Sequence, residues 1–506
     1  MRSTGVGIPV QVQFDLEEIV PIVIEDCLGP LGVVEPLTSS SRSLSENSYF
    51  SELSWICGRL RDMLTDTRFR DYSPNQDFLL PPSLREWLPT NHLANFVSDV
   101  VDALDLSEII DAYDNSQGGQ APFHPVMMTK LLLYAYSVGV PSSRRIEKST
   151  YEVIPFRVLS ANQHPDHDTI SEFRKRHLEA LSRIFLQVLE LCRKAGLVKL
   201  GHVALDGTKV KANASKHKAM SYDHMQKKTD ELAAEIARLL AEAEAIDAAE
   251  DARYGRGKRG DELPEELRYR EQRLKKIQAA KQALEEEARR DAQAAAEKAK
   301  AESDVRPQPK AQRNFTDPDS RIMKDGATKA FEQAFNGQVA VDSEYQVIVA
   351  AGVTQECNDK HQVEPMVERI KANLSGLCPK QMSLDNGYYT DENVEFLREE
   401  GIDAYIATGR LKHGEVPPPA PRGRIPKGLT TKERMARKLR TVKGRCTYAK
   451  RKEIAEPAIG QIKEARGFRR FLLRGLEKVD AEWSIICLTH NLLKLFRWSW
   501  QPALAG

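Results

Sequence analysis

His202-Val203-Ala204-Leu205-Asp206-Gly207-Thr208-Lys209-Val210-Lys211-Ala212-Asn213-Ala214-Ser215 is the stretch that decides how this chain is read. Its opening residues are apolar enough for a buried strand, and the run ends in an acid followed by glycine. A carboxylate at the end of a core strand is costly to desolvate unless something compensates it. A divalent cation is one such compensation. Two stretches far downstream carry a similar mark. Lys380-Gln381-Met382-Ser383-Leu384-Asp385 predicts a second buried strand ending in an acid. Glu456 opens a helix after a long basic segment, with Pro457 behind it, as suits a helix start but not a helix interior.

Between these acids the chain alternates element types. Gln338–Asp342 and Gln346–Ala351 have period two and predict a hairpin through Ser343-Glu344. Pro365–Ala372 and Asp391–Glu400 read as helices, and Ile402–Thr408 reads as a strand. Residues 409–447 are basic, Pro-rich and irregular, becoming helical from Thr431; helices follow at 453–466 and 478–496. Residues 219–312 differ sharply from the rest. Lys227–Ala249 and Glu265–Glu302 are rich in Ala, Glu, Lys, Arg and Leu, and Tyr254–Gly260 separates them. This predicts two long antiparallel helices joined by a basic, Gly-rich tip, either solvated or gripping DNA or a partner. Without that insert the order is β-β-β-α-β-α-β-α. This is the order of a ribonuclease-H-like fold, in which the first and fourth strands lie side by side and Asp206 and Asp385 become neighbours.

Residues 47–195 read as helices. Apolar residues recur at helical spacing over Ser83–Leu88, Leu93–Leu106 and Met127–Val138. Pro141-Ser142-Ser143 caps Arg144–Tyr151, and Pro165–Thr169 caps Ile170–Ala195. Exposed Arg144, Arg145, Arg174, Lys175 and Arg176 on two short capped helices fit a helix-turn-helix contact with DNA, or a solvated basic face of a bundle. The fold class expected is α/β, a ribonuclease-H-like mixed sheet with a long helical-hairpin insertion, plus an all-α N-terminal domain. The expected divisions are an irregular tail at 1–46 and a helical DNA-binding or assembly domain at 47–195. The catalytic domain takes 196–218 and 313–500, and the hairpin insertion 219–312.

Bulk properties narrow the function classes. The chain has 506 residues, 41% apolar and 29% charged, as expected of a soluble globular protein. Its net charge is +1, so local clusters must carry any argument for nucleic acid. Seven cysteines without CxxC spacing give neither a zinc signature nor a disulfide framework, and a reducing cytoplasm fits best. No apolar run approaches the ~18 residues of a spanning helix, and the N-terminus lacks a secretory pattern.

Asp206, Asp385 and Glu456 offer hard oxygen ligands, which favour Mg²⁺ or Mn²⁺. Two such ions ~4 Å apart activate an attacking oxygen and stabilise a leaving one in phosphodiester chemistry. Arg451, Lys452, Lys463, Arg466, Arg469, Arg470 and Arg474 fall within 24 residues, and Arg424–Lys443 adds more. Basic residues clustered beside a metal site favour phosphate contact. Lys209, just past Asp206, is a further candidate for phosphate. Phe468 and Phe471 interleave with the arginines and read as core residues before base-stacking ones. His490-Asn491 reads as a structural polar pair.

These stretches resemble bacterial insertion-sequence transposases of the DDE class, in the group with a Tyr–Arg–Glu–Lys signature and an InsH-like N-terminal domain. The resemblance runs from about Tyr72 to Trp498. It rests on LLPPSLREWLP at 79–89, VPSSRRIE at 140–147, PDHDTISEFR at 165–174 and LDGTKVKANAS at 205–215. FNGQ at 335–338, DNGYY at 385–389 and RGFRRFLLRG at 466–475 complete it. The resemblance implies that Asp206, Asp385 and Glu456 are a catalytic triad holding two ions in a ribonuclease-H-like core. It implies DNA partners, namely terminal inverted repeats and target DNA, a homodimer or larger synaptic assembly, no membrane, and a place on the bacterial nucleoid. In Tyr448–Lys463, six residues separate Glu456 from Lys463, as the signature requires, but four rather than three separate Arg451 from Glu456. Lys452 has the required separation, so either fills the basic position. Glu453 is the rival acid; Glu456 is preferred because Lys463 lies two turns further along its face. The alternatives are a ribonuclease-H-like nuclease without strand transfer and a DNA-binding protein with a dead site.

Overall fold

The computed structural model describes residues 83–113, 121–254, 265–299, 306–309, 311–325, 329–409 and 418–499. The expected tail at 1–46, the segment 47–82, most of the Gly-rich tip and residues 410–417 lie outside them. The chain divides into two units, Met1–Thr90 and Asn91–Gly506. In the first, Leu84–Trp87 makes one 3-10 turn, shorter than the expected helix. Pro89 pushes the residue before it out of helical geometry.

The second unit begins with helices: α1 (Leu93–Ala103), α2 (Ser107–Ile110), α3 (Pro125–Ser137), α4 (Ser143–Glu152), α5 (Ile154–Leu159), α6 (His167–Arg176) and α7 (Leu178–Lys194). Asp166 caps α6 by accepting the Thr169 N–H at 2.6 Å. The single helix expected over Ile170–Ala195 is two. His177 leaves helical geometry, with φ −106° and ψ 19°, and packs its ring against Phe173 and Tyr113. On α7, Leu181, Ile184, Phe185, Val188, Leu189 and Cys192 recur at helical spacing and are buried.

The remainder comprises β1 (His202–Lys211), β2 (Ala219–Ser221), α8 (Tyr222–Tyr254), α9 (Glu265–Ala299), β3 (Gln312–Asn314), β4 (Arg321–Lys324), β5 (Phe331–Asp342) and β6 (Ile348–Thr354). Then come α10 (Val363–Asn373), β7 (Gln381–Leu384), α11 (Asp391–Glu399), β8 (Asp403–Ile406), α12 (Thr431–Arg440), α13 (Val442–Gly460) and α14 (Leu476–Ser499). One mixed sheet has the order β4-β5-β1-β7-β8, with β6 also on β5. β5 runs antiparallel to β1, β4 and β6, while β7 is parallel to both β1 and β8. The short strands β2, β3 and β4 were not foreseen. β2 and β3 pair at the neck of the α8–α9 hairpin. That hairpin has a cluster of its own, built from Met225, Leu232, Ile277, Ala280 and Leu284.

α14 packs between α7 and β6. Its Asn491 is the structural residue expected: the side chain accepts the Ile348 N–H and donates to the Ile348 carbonyl, both at 2.8 Å. α13 lies across β1, β5, β7 and β8. It starts at Thr441, whose hydroxyl accepts the Gly444 N–H, so Glu456 and Pro457 sit inside a helix rather than at its start. Proline has no N–H to give the carbonyl four residues back. That carbonyl, of Glu453, instead accepts the side-chain amide of Gln346 at 2.8 Å, from the β5–β6 turn.

Candidate active site

Strand lengths leave the β7 side of β1 without a strand partner from Asp206 to Val210, before Lys211 bridges the Arg470 segment. β7 pairs with β1 only from His202↔Gln381 to Leu205↔Leu384, whereas β1 continues to Lys211. Asp206 is therefore mid-strand, not terminal as expected, but it is the first β1 residue without a β7 partner. Asp385 follows the last paired residue of β7, which puts the two aspartates side by side where β1 and β7 part. Asp385 is held by a local turn, accepting the Gly387 N–H on Oδ1 at 2.7 Å.

The Asp206 carboxyl accepts the Gly207 N–H at 3.0 Å and Arg451 Nη1 at 2.9 Å. Burial raises its pKa to about 6, and Asp385 and Asp359 push the same way against Arg451 and the Gly207 N–H. A buried carboxylate disfavoured in its charged form and set beside a second one fits a hard cation. Among the described residues, however, no three His, Cys, Asp or Glu side chains are already gathered for a metal. Arg451 now compensates Asp206. Its Nε is buried without a hydrogen-bond partner among the described residues, and its guanidinium lies 6.0 Å from the Tyr448 ring centroid.

Opposed residues of an antiparallel pair share a face. Asp206 and Thr208 thus lie with Val339 and Gly337, and Gly207 and Lys209 with Gln338 and Asn336. The first face meets α13. Lys463, on a π turn at Gln461–Ala465, donates to Thr208 Oγ1 at 3.1 Å and to the Lys209 carbonyl at 3.0 Å. The second face holds a carboxylate that sequence reasoning missed. Asp359 Oδ1 accepts Asn336 Nδ2 at 2.7 Å and Gln338 Nε2 at 2.8 Å, and lies 3.7 Å from Lys209 Nζ. Tyr388, fully buried just after Asp385, donates its hydroxyl to Gln338 Oε1. The signal lies in FNGQ, which sets two amides within the otherwise apolar run Ala334–Val341.

The other expected residues are dispersed. Glu456 is exposed on α13, five residues past Arg451, and none of the described hydrogen bonds or ion pairs joins it to Asp206 or Asp385. Glu453 is exposed as well. Lys452, Arg469 and Arg470 are exposed, Arg469 pairing with Glu464. Arg144 and Arg145 are exposed on α4. Two arginines expected on the surface turn inward. Arg174 is 6% exposed and donates to the Pro141 carbonyl at 2.7 Å and Ser143 Oγ at 3.0 Å, tying α6 to the start of α4. Arg466, also 6% exposed, donates to Thr489 Oγ1 and the Ile486 carbonyl of α14; burial lowers its pKa to about 10. Phe468 and Phe471 are buried, as expected of core residues.

Two family models match the chain. One, described as a transposase domain (DUF772), covers residues 82–176, and one described as a transposase DDE domain covers residues 425–496. No curated protein and no solved structure matches. Among the described residues, no helix is long and apolar enough to cross a membrane.

Proposed function

Because this chain belongs to the insertion-sequence transposases of the DDE class, we propose that it cuts DNA at the ends of its own element and joins the freed ends to target DNA. The observation that carries this reading is the register of β1 and β7, which sets Asp206 beside Asp385 at an open strand edge. The order β6-β5-β1-β7-β8, with β7 and β8 parallel to β1, supports reading the sheet as ribonuclease-H-like. Asp206 and Asp385 would hold the divalent ions, Mg²⁺ or Mn²⁺, which would supply charge stabilisation at the phosphoryl oxygens and activation of the attacking oxygen; Glu456 would have to turn in from the exposed face of α13 to join them.

The chain's own groups do the rest. Arg451 balances Asp206, and exposed Lys452, Arg469 and Arg470 draw the phosphate backbone. Lys463 fixes β1 beyond Asp206 through Thr208 and the Lys209 carbonyl. The helices α1–α7 recognise or synapse the ends, with Arg144 and Arg145 exposed on α4. Two ends must be cut together, so the working form is a dimer or larger assembly on the bacterial nucleoid. The test uses purified protein, Mg²⁺ and duplexes with pre-cut ends. Joined strand-transfer products are expected; hydrolysis without joining would leave a nuclease, and neither would leave a DNA-binding protein.

A further inference from the structure

We propose that Asp359, in the loop after β6, is a positioning residue that holds the Lys209 ammonium at the open edge of β1 to receive a phosphate oxygen of the DNA. This rests on the transposase reading above. Two glycines border the Asp359 carboxylate. A Cβ on Gly207 would lie 2.8 Å from Asp359 Oδ1 and 2.6 Å from Gln338 Nε2, and one on Gly387 would lie 3.2 Å from Asp359 Oδ2. The glycine after each aspartate motif thus makes room for the same carboxylate, which enters between the Asp206 and Asp385 segments.

That carboxylate is oriented from below. Tyr388 donates to Gln338 Oε1, which turns the Gln338 NH₂ group towards Asp359. With Asn336, two amide donors then occupy Asp359 Oδ1. Lys209 Nζ stands 3.7 Å from that oxygen, an ion pair but not a hydrogen bond; the side chain is 20% exposed, and its buried Nζ has no hydrogen-bond partner among the described residues. An ammonium carries three donors, and leaving them unmet inside a protein is costly. Asp359 draws the charge without satisfying it. An anionic oxygen is the acceptor an ammonium favours, and a backbone phosphate brought to this edge supplies one.

The test compares wild type, K209M, D359N, D359E and the K209M/D359N double variant on a duplex carrying the element's terminal sequence. D359N keeps an acceptor for both amides and removes only the charge. Single-turnover cutting at saturating DNA should slow about ten- to hundredfold in K209M and D359N. The double variant should be no slower than K209M, and D359E should recover part of the rate. The dependence of log affinity on log salt should lose about one unit of slope in K209M and D359N. Mn²⁺ binding to the DNA-free protein should be unchanged. Additive losses, unchanged rates, or loss of Mn²⁺ binding in D359N would overturn the assignment. Should D359N not fold, K209M decides: an unchanged rate and slope reject it. If wild type cuts no DNA in Mg²⁺ or Mn²⁺, the transposase reading has failed; if wild type cuts and the variants match it, only this inference has.

Discussion

His490 shows how one buried residue on α14 makes the fold pH-dependent. Its Nε2 lies 2.8 Å from the Gln346 carbonyl, which only accepts, so Nε2 carries a hydrogen. Nδ1 is buried with no partner. Burial, and then Arg466, Lys494 and Arg497, lower its pKa from 6.5 to about 3, against the opposing Gln346 bond. Between those values the unfolded chain takes up a proton that the folded chain refuses, so stability falls as pH drops through that window and is level above it. His490→Gln keeps a donor for the Gln346 carbonyl and cannot titrate. The melting temperature of wild type should therefore fall more than that of the variant between pH 7 and pH 5; parallel falls would contradict this. At this scale the sequence marks Asp206 and Asp385 because each ends an apolar run. It does not mark Asp359, which sits in a polar loop without periodicity. Nor does it separate Arg174 and Arg466 from surface arginines, because a long side chain turning inward leaves no pattern.

Elements depart from the sequence reading where a tertiary contact replaces a local rule. An acid followed by proline signals a helix start because the missing N–H is harmless there. In α13 it is harmless for another reason: Gln346, far away in sequence, donates to the Glu453 carbonyl. Gln346→Asn keeps a residue that tolerates the local φ of 59° but shortens the reach of the amide. It should cost about 1–2 kcal/mol, measured by denaturant unfolding. In a Pro457→Ala background the helix supplies its own N–H, so the same change should cost clearly less. Equal costs in both backgrounds would show that the bond does not serve the proline. The strands β2, β3 and β4 escaped notice because three or four residues are too few for alternation to stand out. The division at His177 escaped because apolar spacing continues across it.

At the scale of the molecule, the order of the elements survives the long insert, since α8 and α9 leave β1 and return through β3 with their own cluster of packed side chains. Sequence order alone leads to β1 beside β7, and with it the pairing of two acids 179 positions apart. What order cannot supply is the relative length of the strands, which opens the edge of β1 beyond Leu205 and gives the acids a face to work on. With a net charge of +1, the proposed attraction to DNA would have to come from local basic residues such as exposed Lys452, Arg469 and Arg470 rather than from the whole surface. The central claim is that Asp206 and Asp385 act together in breaking DNA. The most direct measurement is Mg²⁺-dependent cutting of element-end DNA by wild type, Asp206→Ala and Asp385→Ala proteins, each first shown to melt cooperatively. Wild type is expected to cut and neither folded variant to do so; undiminished cutting by Asp385→Ala would show that the two aspartates do not act together.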